Sequence, residues 1–410
     1  MTTQEYIRLH ANDDVRQLAL RGAKDEGVDL SFALNQIRGR QNARVKIPSW
    51  ASVDAIIYPQ HLSLEQCSSE ATARYKAELV ARNEDVGRFV DLTGGLGVDF
   101  SFMSRCFSER IYVEHNADLC QIVRHNMPLL GIDANIVQAE AEDFLLQMPE
   151  ADVVFLDPAR RNSHGGRTYA LADCTPNVLS LLPLLHQKAK RIILKLSPML
   201  DWRKAVRDVV AGIEEQGEPD VPHSTCIDVH IISVDNECKE LMLDISSAAS
   251  SQVFCVNIKE GDIQRLSFSY NKEEYHPVVA TIPLLDSLST TPWYLFEPNA
   301  SIMKAGCFAT LCRLFGVVAI APNSHLFIGK SPLSDFPGRQ FRVIATSTMN
   351  KKELRHMLSA VDRANISVRN FPLSAEELRR RLKLKDGGNY FLFATTDTAF
   401  RHILLLAEKE

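Results

Sequence analysis

Residues 88–97 have the sequence RFVDLTGGLG, and this stretch decides the fold. Its first half is apolar and predicts a short buried strand that ends near Asp91. Gly94, Gly95 and Gly97 follow at once, and they let the backbone approach a ligand closely because glycine has no Cβ. A strand, a glycine-rich turn and a helix in this order are typical of the first repeat of a parallel α/β sheet.

Short β-branched runs alternate with amphipathic segments downstream of this turn. The predicted strands are 88–92, 111–114, 136–138, 153–156, 192–196, 229–234 and 240–245. This alternation predicts βαβ units, and the turn residues Asp235 and Asn236 predict that the last two strands form a closing hairpin. We therefore predict an α/β fold with a seven-stranded, Rossmann-like sheet.

The flanking regions differ from the sheet region in their periodicity. The N-terminal segment is helical in pattern, and its last helix is predicted to begin near Ser63 or Ser68. Residues 340–396 read strand, helix, strand, helix, strand, which predicts a compact α+β module. The predicted domains are 1–85 (helical), 86–270 (α/β sheet) and 280–410 (α+β).

The composition is that of a soluble globular protein, with 45% hydrophobic and 24% charged residues among 410. The N-terminus has no basic or apolar leader and no run is long enough to cross a bilayer, so we expect a cytoplasmic protein without a membrane partner. The nine cysteines form no CxxC pair. We therefore predict neither a disulfide framework nor a metal site.

Basic residues are concentrated at the C-terminal end. The net charge is -5, yet residues 331–410 contain 14 Lys or Arg against 9 Asp or Glu. Five of these cations lie on or just after one predicted helix: Arg379, Arg380, Arg381, Lys383 and Lys385. Such a cluster either contacts phosphates or forms an ordinary solvated face, and the sequence leaves both readings open.

Acidic residues follow the second and third predicted strands. The dinucleotide fingerprint G-x-G-x-x-G fails here, because Phe100 stands in the third glycine position. Glu114 ends the second strand 17 residues after Gly97, where a carboxylate can accept both ribose hydroxyls of a nucleoside. Glu140 or Asp143, after the third strand, could contact an adenine amino group, although helix capping explains Asp143 equally well.

The fourth strand runs into Asp157 and Pro158, which we predict to face the cleft at the carboxyl ends of the strands. There Asp157 can accept hydrogen bonds from an amine. Further candidates for substrate contact on the same rim are Arg160, Arg161, Arg167, Tyr169, Lys195 and Ser197. The arginines favour a phosphate-bearing substrate, and a solvated basic loop is the alternative.

A cysteine nucleophile, which methylation at a pyrimidine C5 would need, is missing from the fifth strand's tip. That tip carries Ser197, and Cys174 lies a full helix earlier in the sequence. We therefore disfavour methylation at C5 of a pyrimidine through a cysteine nucleophile.

The order of Asp91 to Gly97, an acid at Glu114, and Asp157-Pro158 resembles the class I S-adenosylmethionine-dependent methyltransferases. This resemblance implies S-adenosylmethionine as the cofactor and a methyl-acceptor site at Asp157 and Pro158. The residues predicted to bind the cofactor are Asp91, Thr93, Gly94, Gly95, Gly97, Glu114, Glu140 and Asp143.

Within that superfamily the whole chain resembles bacterial methyltransferases with a THUMP-like, ferredoxin-like C-terminal domain. The segments that carry this likeness are 64–70, 157–161, 195–198 and 296–299. It implies an RNA substrate, rRNA or tRNA. Amino-methylating relatives often place an aromatic residue shortly after the Asp-Pro pair, whereas Ala159 and Arg160 stand here, so a stacking ring has to come from elsewhere, for example Tyr169.

The sequence thus predicts methylation of a base nitrogen of structured RNA. The alternatives are methylation of a protein or small molecule, and an RNA-binding protein without catalysis.

Overall fold

The computed structural model describes eight segments of the chain: residues 1–22, 25–59, 65–81, 87–160, 171–214, 226–247, 250–270 and 293–409. It divides into two compact units. The first unit comprises Met1–Val234 and Lys239–Gln252, and the second comprises Asp235–Cys238 and Val253–Glu410. The prediction of three domains at 1–85, 86–270 and 280–410 remains a prediction.

The N-terminal part of the first unit is helical, as predicted. Its helices are α1 (Thr3–Leu9), α2 (Val15–Arg21), α3 (Leu30–Lys46), α4 (Pro48–Ala51) and α5 (Glu70–Val80). Asp14 and Asp29 cap α2 and α3, because their carboxylates accept hydrogen bonds from the first free backbone amides. Ser69 caps α5 through Thr72 N at 3.3 Å, so this helix begins at Glu70, two residues beyond the later of its two predicted starts.

The sheet of the first unit contains the seven strands that the sequence predicts. They are β1 (Arg88–Asp91), β2 (Glu109–Glu114), β3 (Asn135–Gln138), β4 (Ala151–Leu156), β7 (Ala189–Leu196), β8 (Cys226–Val234) and β9 (Glu237–Ser246), with the two-residue strands β5 (Ala159–Arg160) and β6 (Cys174–Thr175) forming a separate ribbon. The helices among them are α6 (Val98–Met103), α7 (Ala117–Leu129), α8 (Ala141–Gln147), α9 (Val178–Lys188) and α10 (Trp202–Glu214).

The strand order is β8-β9-β7-β4-β1-β2-β3. The ladders among β3, β2, β1, β4 and β7 are parallel, and β9 runs antiparallel to β7. The strand order reverses beside β1, so the carboxyl ends of β1 and β4 flank a crevice where open α/β sheets bind ligands. Asp235 and Asn236 both have positive φ (50° and 63°), which suits the tight turn predicted between β8 and β9.

The two strands that follow β9 were not predicted from the sequence, and all but the first of their residues belong to the second unit. A second hairpin consists of β10 (Gln252–Lys259) and β11 (Asp262–Ser269), joined by a turn in which Glu260 and Gly261 have positive φ. Four of the eight residues of β10 are fully buried, whereas β11 buries a single one. The weak alternation of β11 explains why its sequence does not stand out as a strand.

The second unit contains a seven-stranded sheet in the order β13-β14-β12-β15-β18-β17-β16. Its strands are β12 (Trp293–Pro298), β13 (Val318–Ala319), β14 (Phe327–Gly329), β15 (Gly338–Thr348), β16 (Asn365–Val368), β17 (Tyr390–Thr396) and β18 (His402–Lys409). Its helices are α11 (Ala300–Ala305), α12 (Phe308–Phe315), α13 (Lys351–Met357) and α14 (Ala375–Leu382). The strand-helix pattern predicted for 340–396 is present, and β18 is an addition to it.

No helix among the described residues is long and apolar enough to span a membrane. In the same segments, no group of three or more His, Cys, Asp or Glu side chains is arranged to hold a metal ion.

Candidate active site

The glycine-rich turn after β1 folds as a tight loop. Gly95 and Gly97 have φ of 55° and 80°, a region that glycine adopts without steric cost. Gly94 has no room for a side chain, because a Cβ there would lie 2.0 Å from Cε2 of Tyr112. The glycines are therefore required by the shape of this loop.

Asp91 lies at the end of β1, almost fully buried beneath the loop. Its carboxylate accepts a hydrogen bond from Thr93 N at 3.0 Å. Burial raises the pKa of Asp91 well above its usual range, and the Thr93 amide opposes that rise. Asp91 thus organises the loop from below.

Glu114 links the loop to the end of β2. Its Oε2 accepts a hydrogen bond from Gly95 N at 3.0 Å, and its Oε1 accepts one from Asn116 N at 2.8 Å. His115 Nδ1 lies 2.9 Å from Oε1. The side chain is buried, yet a carboxylate offers about four lone-pair positions, so it retains capacity for further donors from a ligand.

A cleft of about 1000 Å³ opens above these residues. The predicted site residues that line it are Asp91, Thr93, Gly94, Gly95, Gly97, Glu114, Glu140, Asp157, Pro158, Lys195 and Ser197. Asp143 is an exposed residue of α8 outside the lining, where Glu142 takes its place. Arg161, Arg167 and Tyr169 lie outside the described residues, and Arg160 belongs to β5, which pairs with β6.

Asp157 lies just beyond β4, and hydrogen bonds hold both its backbone and its side chain. Its backbone amide donates to Thr93 Oγ1 at 2.6 Å, so the glycine loop and the end of β4 share a hydrogen bond. Its Oδ2 accepts from Lys195 Nζ at 2.6 Å. The side chain is 38% exposed, and among the described residues Oδ1 has no hydrogen-bond donor. Asp157 lines the cleft, and within the described part of the chain its Oδ1 is left for a ligand.

A buried charge cluster that the sequence did not reveal lies beneath this aspartate. Lys76 of α5 is fully buried, and its ammonium lies 2.8 Å from Asp99 Oδ1 and 2.6 Å from Glu240 Oε2. Ser68 donates to Asp99 Oδ2 at 2.6 Å, and Lys195 Nζ lies 3.5 Å from the same oxygen. We call these five residues the lysine cluster. It joins α5, α6, β7 and β9 under the cleft.

Cys174 lies closer to the proposed acceptor site than its position in the sequence suggested. Cys174 in β6 pairs with Arg160, three residues after Asp157, and it lines the cleft together with Cys67. The separation of Cys174 along the sequence therefore does not separate it in space. Burial raises the pKa of Cys67 to about 11, which disfavours the reactive thiolate form at neutral pH.

Known proteins resemble this chain in sequence and in fold. Residues 294–337 match a family model described as a ferredoxin-like domain, and residues 338–409 match a THUMP domain-like model. The crystal structure of a candidate methyltransferase from Porphyromonas gingivalis W83 is similar over 99% of this chain and 97% of that protein, with 30% sequence identity and a TM-score of 0.83.

Other solved structures align with parts of the chain. The SAM-dependent methyltransferase of Agrobacterium tumefaciens shares 12% identity over 47% of this chain and 66% of its own, with a TM-score of 0.32. TrmK of M. capricolum, bound to S-adenosylhomocysteine, shares 13% identity over 43% of this chain and 69% of its own, with a TM-score of 0.30. No curated protein matches the chain in sequence.

The chain belongs to the class I S-adenosylmethionine-dependent methyltransferases. It carries a THUMP-like, ferredoxin-like domain at its C-terminus. The residues of the cleft fit the cofactor, because Glu114 offers a carboxylate to ribose hydroxyls and the volume is at the upper end of the roughly 300–1000 Å³ typical of ligand pockets. When bound, S-adenosylmethionine supplies a methyl group already activated by its sulfonium.

We expect Glu114→Ala to weaken binding of S-adenosylmethionine by roughly 1.5–3 kcal/mol, about 10- to 150-fold in Kd, because the ribose hydroxyls lose a charged acceptor. Calorimetric titration measures this directly. Glu109→Ala is the matched control, since Glu109 begins the same strand and its exposed carboxylate contacts Arg88. Equal affinities of the two variants would contradict a ribose-binding role for Glu114.

Proposed function

We propose that this methyltransferase transfers the methyl group of S-adenosylmethionine to a base nitrogen of structured RNA, rRNA or tRNA. The proposal is carried by Asp157, which lines the cleft next to the glycine-rich loop and whose Oδ1 has no donor among the described residues, while Lys195 holds its Oδ2. A carboxylate oxygen in this position accepts a hydrogen bond from an exocyclic amine and so orients the nitrogen lone pair. Orientation supplies much of the rate enhancement when the methyl donor is already activated.

The residues around Asp157 support this role. Pro158 fixes the backbone beyond β4, and Thr93 Oγ1 accepts from Asp157 N, so a hydrogen bond ties the proposed acceptor site to the glycine loop. Pro158 and Ser197 line the same cleft and border the space for the base.

The second unit supports RNA as the substrate class. The THUMP domain-like match covers residues 338–409, and the predicted basic cluster lies within it. Arg380, Arg381, Lys383 and Lys385 are exposed at the end of α14 and just beyond it. Arg379 is half-buried and pairs with Asp386 at 2.5 Å, so we remove it from the phosphate-binding candidates.

The proposal is tested by incubating the protein with labelled S-adenosylmethionine and total RNA from a strain that lacks it, followed by mapping of the labelled nucleoside. We expect label on a base nitrogen. Label at C5 of a pyrimidine would overturn the nitrogen assignment and direct attention to Cys67 and Cys174. Transfer only to protein or to small molecules would overturn RNA, and binding of the cofactor without any turnover would leave a non-catalytic RNA-binding protein.

We expect the double variant Arg380→Ala/Arg381→Ala to bind RNA less tightly and with a flatter salt dependence. Each phosphate contact that is lost lowers the slope of log K against log salt by about 0.7 to 0.9, so the slope should fall by up to about 2. Filter binding across a salt series measures both quantities. The matched control is Lys351→Ala/Lys352→Ala, which removes two exposed cations from the start of α13. Indistinguishable slopes for both double variants would remove the end of α14 from the RNA surface.

A further inference from the structure

Two lysine-aspartate pairs join β4 and β7, one at each end of the ladder. Lys190 Nζ lies 2.7 Å from Asp152 Oδ1 at the amino end, and Lys195 Nζ lies 2.6 Å from Asp157 Oδ2 at the carboxyl end. The Lys190 side chain is 71% exposed, and that of Lys195 only 9%. The lysine of the amino-end pair is therefore exposed to solvent, whereas the lysine of the carboxyl-end pair is buried beside the cleft.

Lys195 is held too firmly to act as a mobile contact for substrate. Besides Asp157, its ammonium faces Asp99 Oδ2 at 3.5 Å. Although burial alone would lower the pKa of Lys195, the carboxylates of Asp157, Asp99 and Glu240 raise it well above its usual range. Lys195 therefore remains a fixed positive charge at neutral pH.

We propose that Lys195 is a positioning residue of the methyl transfer, because it clamps Oδ2 of Asp157 and leaves Oδ1 as a carboxylate oxygen that selects acceptors carrying an N–H group. The proposal rests on the proposed function and adds to it a selection rule. An acceptor with its own N–H can donate to Oδ1, whereas an atom without hydrogen would place a lone pair against a negatively charged oxygen.

The methyl transfer needs no reactant besides the methyl donor, the acceptor and these residues. The nitrogen lone pair forms the bond to the methyl carbon, while the bond from that carbon to sulfur breaks and its electron pair stays on sulfur. The methylated nitrogen then carries one proton too many. That proton passes along the existing hydrogen bond to Oδ1 of Asp157, whose side chain is 38% exposed and can release it to solvent. Lys195 keeps its proton throughout.

The charges around Asp157 determine its protonation. The groups that face it or its lysine are Lys195 on β7, Asp91 at the end of β1, Asp99 on α6, Lys76 on α5 and Glu240 on β9. Burial raises the pKa of Asp157, and the Lys195 ammonium opposes that rise. Removing Lys195 should raise the pKa of Asp157 further. Asp157 would then lose its charge at a higher pH, and the acid limb of the activity profile would shift to higher pH.

The experiment compares the full-length wild type with Lys195→Met, Lys195→Arg and Lys190→Met, the last being the matched control. The first readout needs no substrate: ¹³C NMR titration of labelled aspartate carboxyls, with the Asp157 signal assigned through Asp157→Asn. We expect Lys195→Met to raise the Asp157 titration midpoint by about 1–3 pH units. Lys195→Arg should restore it, and Lys190→Met should leave it unchanged.

The second readout is the pH profile of kcat with the RNA substrate. We expect Lys195→Met to lower kcat about 100-fold with little change in KM, because a carboxylate displaced by about 1 Å loses its orienting effect. Lys195→Gln, which keeps polarity without charge, replaces Lys195→Met if the latter does not fold. An unchanged midpoint in these uncharged variants would overturn the proposal. Failure of the proposed function alone would appear as a shifted Asp157 midpoint in Lys195→Met, combined with a wild type that binds S-adenosylmethionine but does not methylate RNA.

Discussion

Lys76→Met should lower the free energy of unfolding by about 3–5 kcal/mol, the usual cost of removing one partner from a buried ion pair. Lys76 is fully buried, and its ammonium lies within 2.8 Å of both Asp99 and Glu240. Methionine fills a similar volume, so the loss reflects the missing ammonium more than a cavity: Glu240 loses its cation, and Asp99 keeps only Lys195, 3.5 Å away. Urea-induced unfolding, extrapolated to water, measures the change.

The matched control is Lys204→Met, because Lys204 is half-exposed and pairs with Asp208 one helical turn away. Such surface pairs contribute about 0–1 kcal/mol. Adding Glu240→Gln to Lys76→Met should recover part of the loss, since the carboxylate that then remains, Asp99, still faces the Lys195 ammonium. If Lys76→Met is as stable as Lys204→Met, the lysine cluster does not hold α5 against the sheet.

The lysine cluster also makes the stability of the folded protein depend on pH. Although burial raises the pKa of Asp99, Lys76 and Lys195 outweigh it and lower this pKa to about 2, from an ordinary value of 3.8. A lowered pKa in the folded state means stability that is fully present above about pH 4 and lost as the pH falls through about 2. In Lys76→Met this contribution should shrink, so the two proteins should converge in stability at the acid end of the titration.

The sequence predicted the sheet because its local signals agree with its tertiary contacts. Buried apolar runs form β1, β4 and β7, and the turn residues Asp235 and Asn236 adopt the positive φ that a tight hairpin needs. Gly94, Gly95 and Gly97 were predictable for the same reason, since their role depends on backbone conformation. The end of β2 was predictable from spacing alone, which placed Glu114 beside the loop.

The lysine cluster could not be predicted, because its ion pairs join residues far apart in sequence. Lys76 and Glu240 are 164 residues apart, and nothing near either residue signals the other. The same limit led to the wrong inference about Cys174, which reaches the cleft through the pairing of β6 with β5. Spacing along the chain shows which residues share one helix or strand. The partners of a buried charge depend instead on how the helices and strands pack together.

The strand β18 shows a different limit. Its residues Ile403 to Ala407 are all buried, so the run has neither the alternation of a half-buried strand nor a helical period. It lies between β15 and β17 at the centre of the second sheet. A fully apolar run near the end of a chain is ambiguous until its neighbours are known, and here both neighbours were predicted without it.

Asp157→Ala should lower kcat about 100- to 1000-fold, the range found when a preorganised group at a reacting centre is removed. The variant loses the Oδ1 that we propose orients the acceptor, while Glu114 keeps its hydrogen bonds from Gly95 and Asn116, so the proposed cofactor site is unchanged. Binding of S-adenosylmethionine should therefore change by less than about threefold, under 1 kcal/mol. Single-turnover kinetics with the labelled cofactor, together with calorimetric titration, separate the two quantities.

Asp157→Asn is the matched variant for this prediction, because the amide keeps the shape of the side chain and an acceptor oxygen but lacks the negative charge. The amide has one acceptor oxygen, which serves either Lys195 or the amine, so we expect Asp157→Asn to lose most of the turnover that Asp157→Ala loses and to keep wild-type affinity for the cofactor. Lys195 would then face Asp99 alone, so its clamp on Oδ2 weakens as well. A loss of cofactor affinity with an unchanged kcat in Asp157→Ala would show that Asp157 belongs to the cofactor site and that the methyl acceptor binds elsewhere in the cleft.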